Sequence, residues 1–118
     1  MYEGYKGLNV YQKSYGLVMK IYQITKRMPD DERYVMTTQM RRAAMSIPLN
    51  ISEGYGKKES TAEYRRFLMI AKGSCNEIQV LIDICKDLEY ITNEEYEELI
   101  IGYTETSKML QGLVKSIT

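Results

Sequence analysis

Histidine and tryptophan are absent from this 118-residue chain, phenylalanine occurs once, and proline and cysteine occur twice each. Without histidine, the Ser-His and Cys-His nucleophile pairs and the Glu-x-x-His metal motif of helical carboxylate bundles are excluded, together with the most versatile acid-base side chain. Glu53, Glu63 and Glu77 could in principle gather as carboxylates, but no supporting pattern accompanies them. The segment GYGKKES, Gly54 to Ser60, lacks the spacing of a phosphate-binding loop. The expectation is a protein that is not an enzyme, with no catalytic residue, no cofactor and no metal.

Long apolar runs are missing too. The longest uninterrupted stretch is five residues, Phe67 to Ala71, against roughly 20 needed to cross a bilayer, and nothing at the N-terminus resembles a signal peptide. A soluble, cytoplasmic, single-domain chain over 1–118 is expected, with no membrane partner. Cys75 and Cys85 are ten residues apart in one predicted helix, about 15 Å along its axis, which is too far for a disulfide. They read as small buried hydrophobes.

Net charge is also lacking: sixteen Lys and Arg balance sixteen Asp and Glu. The total therefore gives no general argument for nucleic acid or for an acidic substrate. The distribution is uneven, however. Residues 1–72 hold thirteen basic and seven acidic side chains, and residues 73–118 hold three basic and nine acidic. If the two halves form separate faces, the molecule is electrically two-sided.

What the chain has in quantity is tyrosine, eleven residues, and helical periodicity. Tyr carries a hydroxyl that must meet water or a partner, so it suits half-buried surfaces. From about Gly7 to Met28, Val10, Ser14, Leu17, Ile21, Ile24 and Met28 recur at steps of three and four, which is a bundle seam. Beside it, Tyr11, Tyr15, Val18 and Tyr22 widen the apolar face beyond what a small bundle needs, and self-association is one explanation. Pro29 breaks the pattern, and Asp30 and Asp31 are placed to cap the next helix.

A second helix is predicted from Glu32 or Tyr34 to Tyr55, with Met36, Met40, Ala44, Ile47, Ile51 and Tyr55 toward the core. Pro48 lies inside it, which predicts a kink or, alternatively, two shorter helices. Gly54 and Gly56 are expected to end it in the left-handed conformation. A third helix starts at the capping-box pair Ser60 and Glu63 and buries Tyr64, Phe67, Leu68, Ala71, Cys75, Ile78, Leu81, Ile82, Cys85 and Leu88. Within it, Gly73 is expected to permit a close helix crossing. Thr92 and Glu95 repeat the capping pattern ahead of a fourth helix with Tyr96, Leu99, Ile100, Tyr103, Met109, Leu110, Leu113 and Ile117 as its stripe. Four helices with short links fit an all-α, antiparallel, up-down four-helix bundle.

The second helix carries another line. Gln39, Ser46, Asn50, Glu53 and Lys57, with Arg42 to one side, form a polar ribbon about a quarter-turn from the apolar stripe, and Met45 and Leu49 lie on its far side. Such a ribbon suggests an oligomer interface, a buried hydrogen-bond network or a ligand surface. Seven cations, Arg41, Arg42, Lys57, Lys58, Arg65, Arg66 and Lys72, cluster in sequence around the turn between helices two and three. They read either as a phosphate-contacting patch or as partners for Glu53, Glu59, Glu63 and the acidic C-terminal half.

The strings QMRRAAMSIPLNISEGYGKKE from Gln39 and YRRFLMIAKGSCNEIQVLIDICKDLEYIT from Tyr64 closely resemble the 23S ribosomal RNA intervening-sequence proteins, small bacterial four-helix bundles. That family is similar in turn to accessory proteins of diversity-generating retroelements, whose bundles form barrel-like homopentamers that associate with reverse transcriptase and nucleic acid. The resemblance implies a bundle, a homo-oligomer with a pentamer favoured, and RNA or reverse transcriptase as partners, with no catalytic residue to carry over. On this reading the seven cations are the nucleic-acid-binding set. The ribbon residues Gln39, Ser46, Asn50 and Glu53, with Tyr11, Tyr15 and Tyr22, form the oligomer interface or polar network. The functional expectation is a non-enzymatic oligomeric bundle associating with structured RNA such as ribosomal RNA; the alternative is a protein-binding scaffold without RNA contact.

Overall fold

The structure, a computed structural model, describes residues 3–117. Met1, Tyr2 and Thr118, the ends of the single domain expected over 1–118, lie outside the described residues. Four α-helices carry the chain: α1 Asn9–Thr25, α2 Thr38–Gly56, α3 Thr61–Asp87 and α4 Asn93–Ser116. No strand occurs among the described residues. At 27 residues, α3 is about 40 Å long, close to the 44 Å long axis of the whole molecule.

The seams predicted from periodicity form the core. Ile21, Met40, Ala44, Ile47, Ile51, Leu68, Cys75, Ile78, Ile82, Tyr103 and Leu110 are fully buried, and they come from all four helices. Truncating one such Ile or Leu to Ala costs about 2–5 kcal/mol, a large share of the roughly 5–15 kcal/mol that holds a domain of this size. Partners across each seam run in opposite directions: Thr25 with Arg41 and Tyr22 with Met45 between α1 and α2, Met40 with Cys85 and Ser46 with Ser74 between α2 and α3, and Asp83 with Tyr96 and Lys72 with Gln111 between α3 and α4. The α1–α4 seam closes the ring with three ion pairs: Lys13–Glu105 at 2.8 Å, Lys20–Glu98, and Arg27–Glu95 at 2.5 Å.

Those pairs correct the expectation of a two-sided charge distribution. The basic first helix lies against the acidic fourth, so part of the charge asymmetry closes on itself along one seam.

Helix ends follow local chemistry. Thr92 and Glu95 make the complete capping box, each side chain bonding the other's backbone N–H. At α3 the Ser60 hydroxyl accepts from the Glu63 N–H, whereas the Glu63 carboxylate turns to Arg66. Asp30 and Asp31 do not cap α2; they sit in a 3-10 turn, Asp30–Glu32, followed by a π-helical turn, Arg33–Thr37, that runs directly into α2. The Thr38 hydroxyl donates to the Arg33 carbonyl across that wider turn. Pro48 is accommodated inside one continuous α2. Its missing N–H and ring clash cost about 3 kcal/mol, offset by the complete burial of Ile47 and Ile51 on either side.

Three glycine expectations change. Neither Gly54 nor Gly56 is left-handed; among the described residues those at positive φ are Gly4 and Glu89. Gly54 is instead buried within α2, where an added Cβ would stand 2.9 Å from the Phe67 Cβ. Gly73 faces open space, and the other close approach is at Gly102, where a Cβ would lie 2.8 Å from Leu17 Cδ2. Leu88, expected in the core, is the exposed residue after the last turn of α3. It is followed by Glu89 at φ 63°. There the Glu89 N–H reaches the Lys86 carbonyl and the Tyr90 N–H reaches the Cys85 carbonyl, which is a Schellman ending with Glu where Gly is usual.

Candidate functional site

Two surfaces gather the residues singled out from the sequence. The first is an apolar groove between α1 and α2. Tyr11, Tyr15 and Tyr22 line it with Tyr5, Val18, Met19, Met45, Pro48, Leu49 and Ser52, around a volume of about 590 Å³. Leu49 is 65% exposed, Tyr15 51% and Met19 46%. The Tyr11 ring packs edge-on to Tyr5 at 5.0 Å and lies 6.0 Å from Tyr15, and the Tyr22 hydroxyl contacts Met45 Sδ at 3.5 Å. Burial, with Tyr5 and Tyr15 nearby, pushes the Tyr11 hydroxyl above its ordinary value, so it stays a neutral hydrogen-bonding group at any ordinary pH. Met19 and Tyr5 did not stand out in sequence. Met19 follows Tyr15 by four residues and precedes Tyr22 by three, which is the spacing that marks it in hindsight.

The polar ribbon divides. Ser46 and Asn50 turn toward α3: Ser74 Oγ donates to Ser46 Oγ at 2.8 Å, and Asn50 Nδ2 donates to Ser46 Oγ at 3.0 Å and to the Ser46 carbonyl at 2.7 Å. They serve the seam between α2 and α3. Gln39 and Arg42 are exposed, and Glu53 pairs with Lys57 at 3.8 Å.

The seven cations do not form one patch. Arg41 lies about 24 Å along α2 from Lys57; its Nε donates to Thr25 Oγ1 and its guanidinium lies 4.3 Å from the Tyr22 ring centre. Lys57, Lys58 and Arg66 lie on aromatic rings at the α2–α3 turn, whereas Arg65 turns toward α4. Lys58 sits over the Tyr55 ring and donates to its hydroxyl, Lys57 and Arg66 flank the Phe67 ring, and Arg66 bonds Glu63 at 2.8 Å. The bond from Arg66 holds the Glu63 carboxyl below its usual range. Arg65 and Lys72 share the face toward α4, where Arg65 donates to the Ile117 carbonyl at 2.7 Å and Lys72 to Gln111 Oε1 at 2.5 Å. Exposed pairs of this kind are weak, so the cations of the turn stand at its surface beside the carboxylates of Glu53 and Glu63.

The cysteines are buried and free. Burial pushes the Cys75 thiol up to about 12 and the Cys85 thiol to about 11, so neither supplies a thiolate near neutral pH. No helix among the described residues is long and apolar enough to cross a membrane.

The comparisons agree with this architecture. In a search of curated proteins none matches the chain. A crystal structure from Bacteroides thetaiotaomicron, described as a protein of unknown function from the S23 ribosomal protein family, superposes with a TM-score of 0.81 at 31% identity, covering 90% of this chain and 95% of that one. The family model for the 23S rRNA-intervening sequence protein matches residues 6–112. The chain therefore belongs to the 23S rRNA-intervening sequence protein family.

Proposed function

We propose that this chain is a non-catalytic assembly module: copies associate through the outer face of α1 and α2 and present the cationic α2–α3 turn to structured RNA. The observation that carries this reading is the contiguous apolar groove, in which Tyr15, Met19 and Leu49 remain about half or more exposed. Isolated exposed apolar residues are ordinary, but a rimmed apolar patch on a small soluble bundle is characteristic of an interface. Tyrosine and methionine are enriched in such contacts because they give large contact area and adaptable packing. The resemblance to homopentameric retroelement accessory proteins supports a ring of five. The family's link to ribosomal RNA insertions, and the cations Lys57, Lys58 and Arg66 at the α2–α3 turn with Arg65 beside them in sequence, support RNA as the ligand.

A second reading is a protein-binding adaptor, for example for a reverse transcriptase, that uses the groove without RNA contact. The engaged state of the cations favours it, since Arg41, Lys57, Lys58, Arg65, Arg66 and Lys72 each already have a partner within the subunit.

Binding of a structured RNA across a salt series, for the wild type and for Arg65→Ala with Arg66→Ala, decides between the two. RNA association predicts affinity that falls as salt rises, with a shallower slope in the double variant. No binding at low salt leaves the adaptor reading. Binding that the double variant leaves untouched places the RNA elsewhere on the molecule.

A further inference from the structure

At the end of the bundle opposite the α2–α3 turn lies a notch of about 190 Å³, lined by Thr25, Lys26, Met28, Pro29, Asp30, Arg33, Thr37 and Arg41. Its cations come from three successive elements. Lys26 follows the last residue of α1, Arg33 opens the π turn, and Arg41 stands one turn into α2. The Pro29 break folds them together, which is why linear spacing conceals the cluster. Three cationic side chains face one acidic liner, Asp30.

Two features distinguish the notch from ordinary surface charge. Arg41 is held rigidly: its Nε donates to Thr25 Oγ1 at 2.9 Å and its plane lies on the Tyr22 ring at 4.3 Å, so the two terminal nitrogens of the fork remain available. Thr37, only 8% exposed, also lines the notch, and its hydroxyl makes no hydrogen bond to another side chain or to backbone among the described residues. Lys26 and Arg33 likewise have no ion pair among the described residues, and the nearby acidic Glu32 is engaged by the Tyr90 hydroxyl.

The geometry points to an oxyanion site in which Arg41 presents its fork, Lys26 and Arg33 neutralise charge, and the Thr37 hydroxyl donates a hydrogen bond to a phosphate group. Guanidinium forks match phosphate oxygens in pairs, and 190 Å³ accommodates a phosphate with a few waters at about 30 Å³ each. The phosphate is either that of a free small molecule or one carried by an RNA strand. The site is separate from the α2–α3 turn, so it stands or falls independently of the RNA contact proposed there.

Backbone amide NMR shifts during titration with inorganic phosphate at constant ionic strength, with chloride as the balancing salt, test the site. Saturable shifts confined to residues 25–41 are expected. Thr37→Val should weaken them several-fold and Lys26→Gln with Arg33→Gln about tenfold or more, whereas Lys115→Gln, exposed in the last turn of α4, leaves them unchanged. Lys26 and Arg33 are exposed, so the double variant folds even if Thr37→Val is impaired. An RNA oligonucleotide without a terminal phosphate that competes with inorganic phosphate assigns the site to backbone phosphates. Failure of that RNA to compete, with the phosphate shifts intact, assigns it to a small-molecule or terminal phosphate. Linear shifts that chloride reproduces, or saturable shifts indifferent to both notch variants, overturn the proposal.

Discussion

The hydroxyl of Ser74 on α3 donates to the hydroxyl of Ser46 on α2 at 2.8 Å, across the seam between those helices. Asn50 completes the cluster by donating to the same Ser46 oxygen. The bond fixes the register of α2 against α3, because a slip of one residue leaves Ser74, only 9% exposed, without its partner. Ser46→Ala should cost about 1–2 kcal/mol in urea unfolding, and Ser74→Ala in the same background should add much less than it does alone. Additive losses would show that the two hydroxyls act independently.

The Tyr103 hydroxyl is fully buried and has no hydrogen-bond partner among the described residues. Burial, with Cys75 nearby, raises its pKa well above the ordinary value. Removing an unpaired buried hydroxyl relieves a desolvation cost of about 1–3 kcal/mol. Tyr103→Phe is therefore expected to raise or preserve the melting temperature, and a clear fall would reveal a water or side-chain partner for that oxygen.

Backbone substitutions separate two glycines that look alike in the sequence and a glutamate that stands where glycine is usual. Gly73→Ala, which meets open space, should stabilise by about 0.5–1 kcal/mol. Gly54→Ala sets a Cβ against the Phe67 Cβ at 2.9 Å, an atom that cannot swing aside, and should destabilise by about 1–3 kcal/mol. Glu89→Gly relieves a left-handed residue at φ 63° and should stabilise by about 1 kcal/mol. Denaturant midpoints ordered otherwise would contradict these assignments.

The contrast among these positions shows where sequence reading succeeds and where it stops. Periodicity locates each seam because burial imposes it on one helix at a time; Val10 through Ile24 and Tyr64 through Cys85 all reach the core as expected. The capping box at Thr92 is legible for the same reason, being local. Which glycine meets a neighbour depends on the rotation of two helices about each other, so Gly54 and Gly102 exchange roles with Gly73. The charge asymmetry misleads similarly: Lys13, Lys20 and Arg27 find Glu105, Glu98 and Glu95 only once α1 lies against α4. Of the groove residues, Tyr11, Tyr15 and Tyr22 are readable as an excess stripe, but the groove needs Met45 and Leu49 from another helix.

Stability should fall at both ends of the pH scale. Burial pushes Glu95 up, but bonds from Arg27 and from Thr92 outweigh it and leave the carboxyl below its usual 4.5, and the bond from Lys13 lowers Glu105. A lowered carboxyl stabilises the fold above its unfolded pKa, and that contribution disappears as pH drops below 4.5 and through the folded value. The Cys75 thiol is raised from 9.0 to about 12, so its contribution is complete below 9 and vanishes as pH climbs from 9 toward 12. Thermal melting followed by circular dichroism from pH 3 to 11 should give a plateau between about 5 and 9. A maximum at either extreme would refute this assignment.

Self-association is the central claim, and sedimentation velocity of the wild type across micromolar concentrations tests it most directly, with Met19→Glu and Leu49→Glu combined as the groove variant. Both side chains are exposed in the single subunit, so the variant should fold. The expected result is a wild-type species several times the 13.8 kDa chain mass, a pentamer if the ring reading holds, and a 13.8 kDa species for the variant. A wild type that sediments as a single 13.8 kDa chain throughout would contradict it.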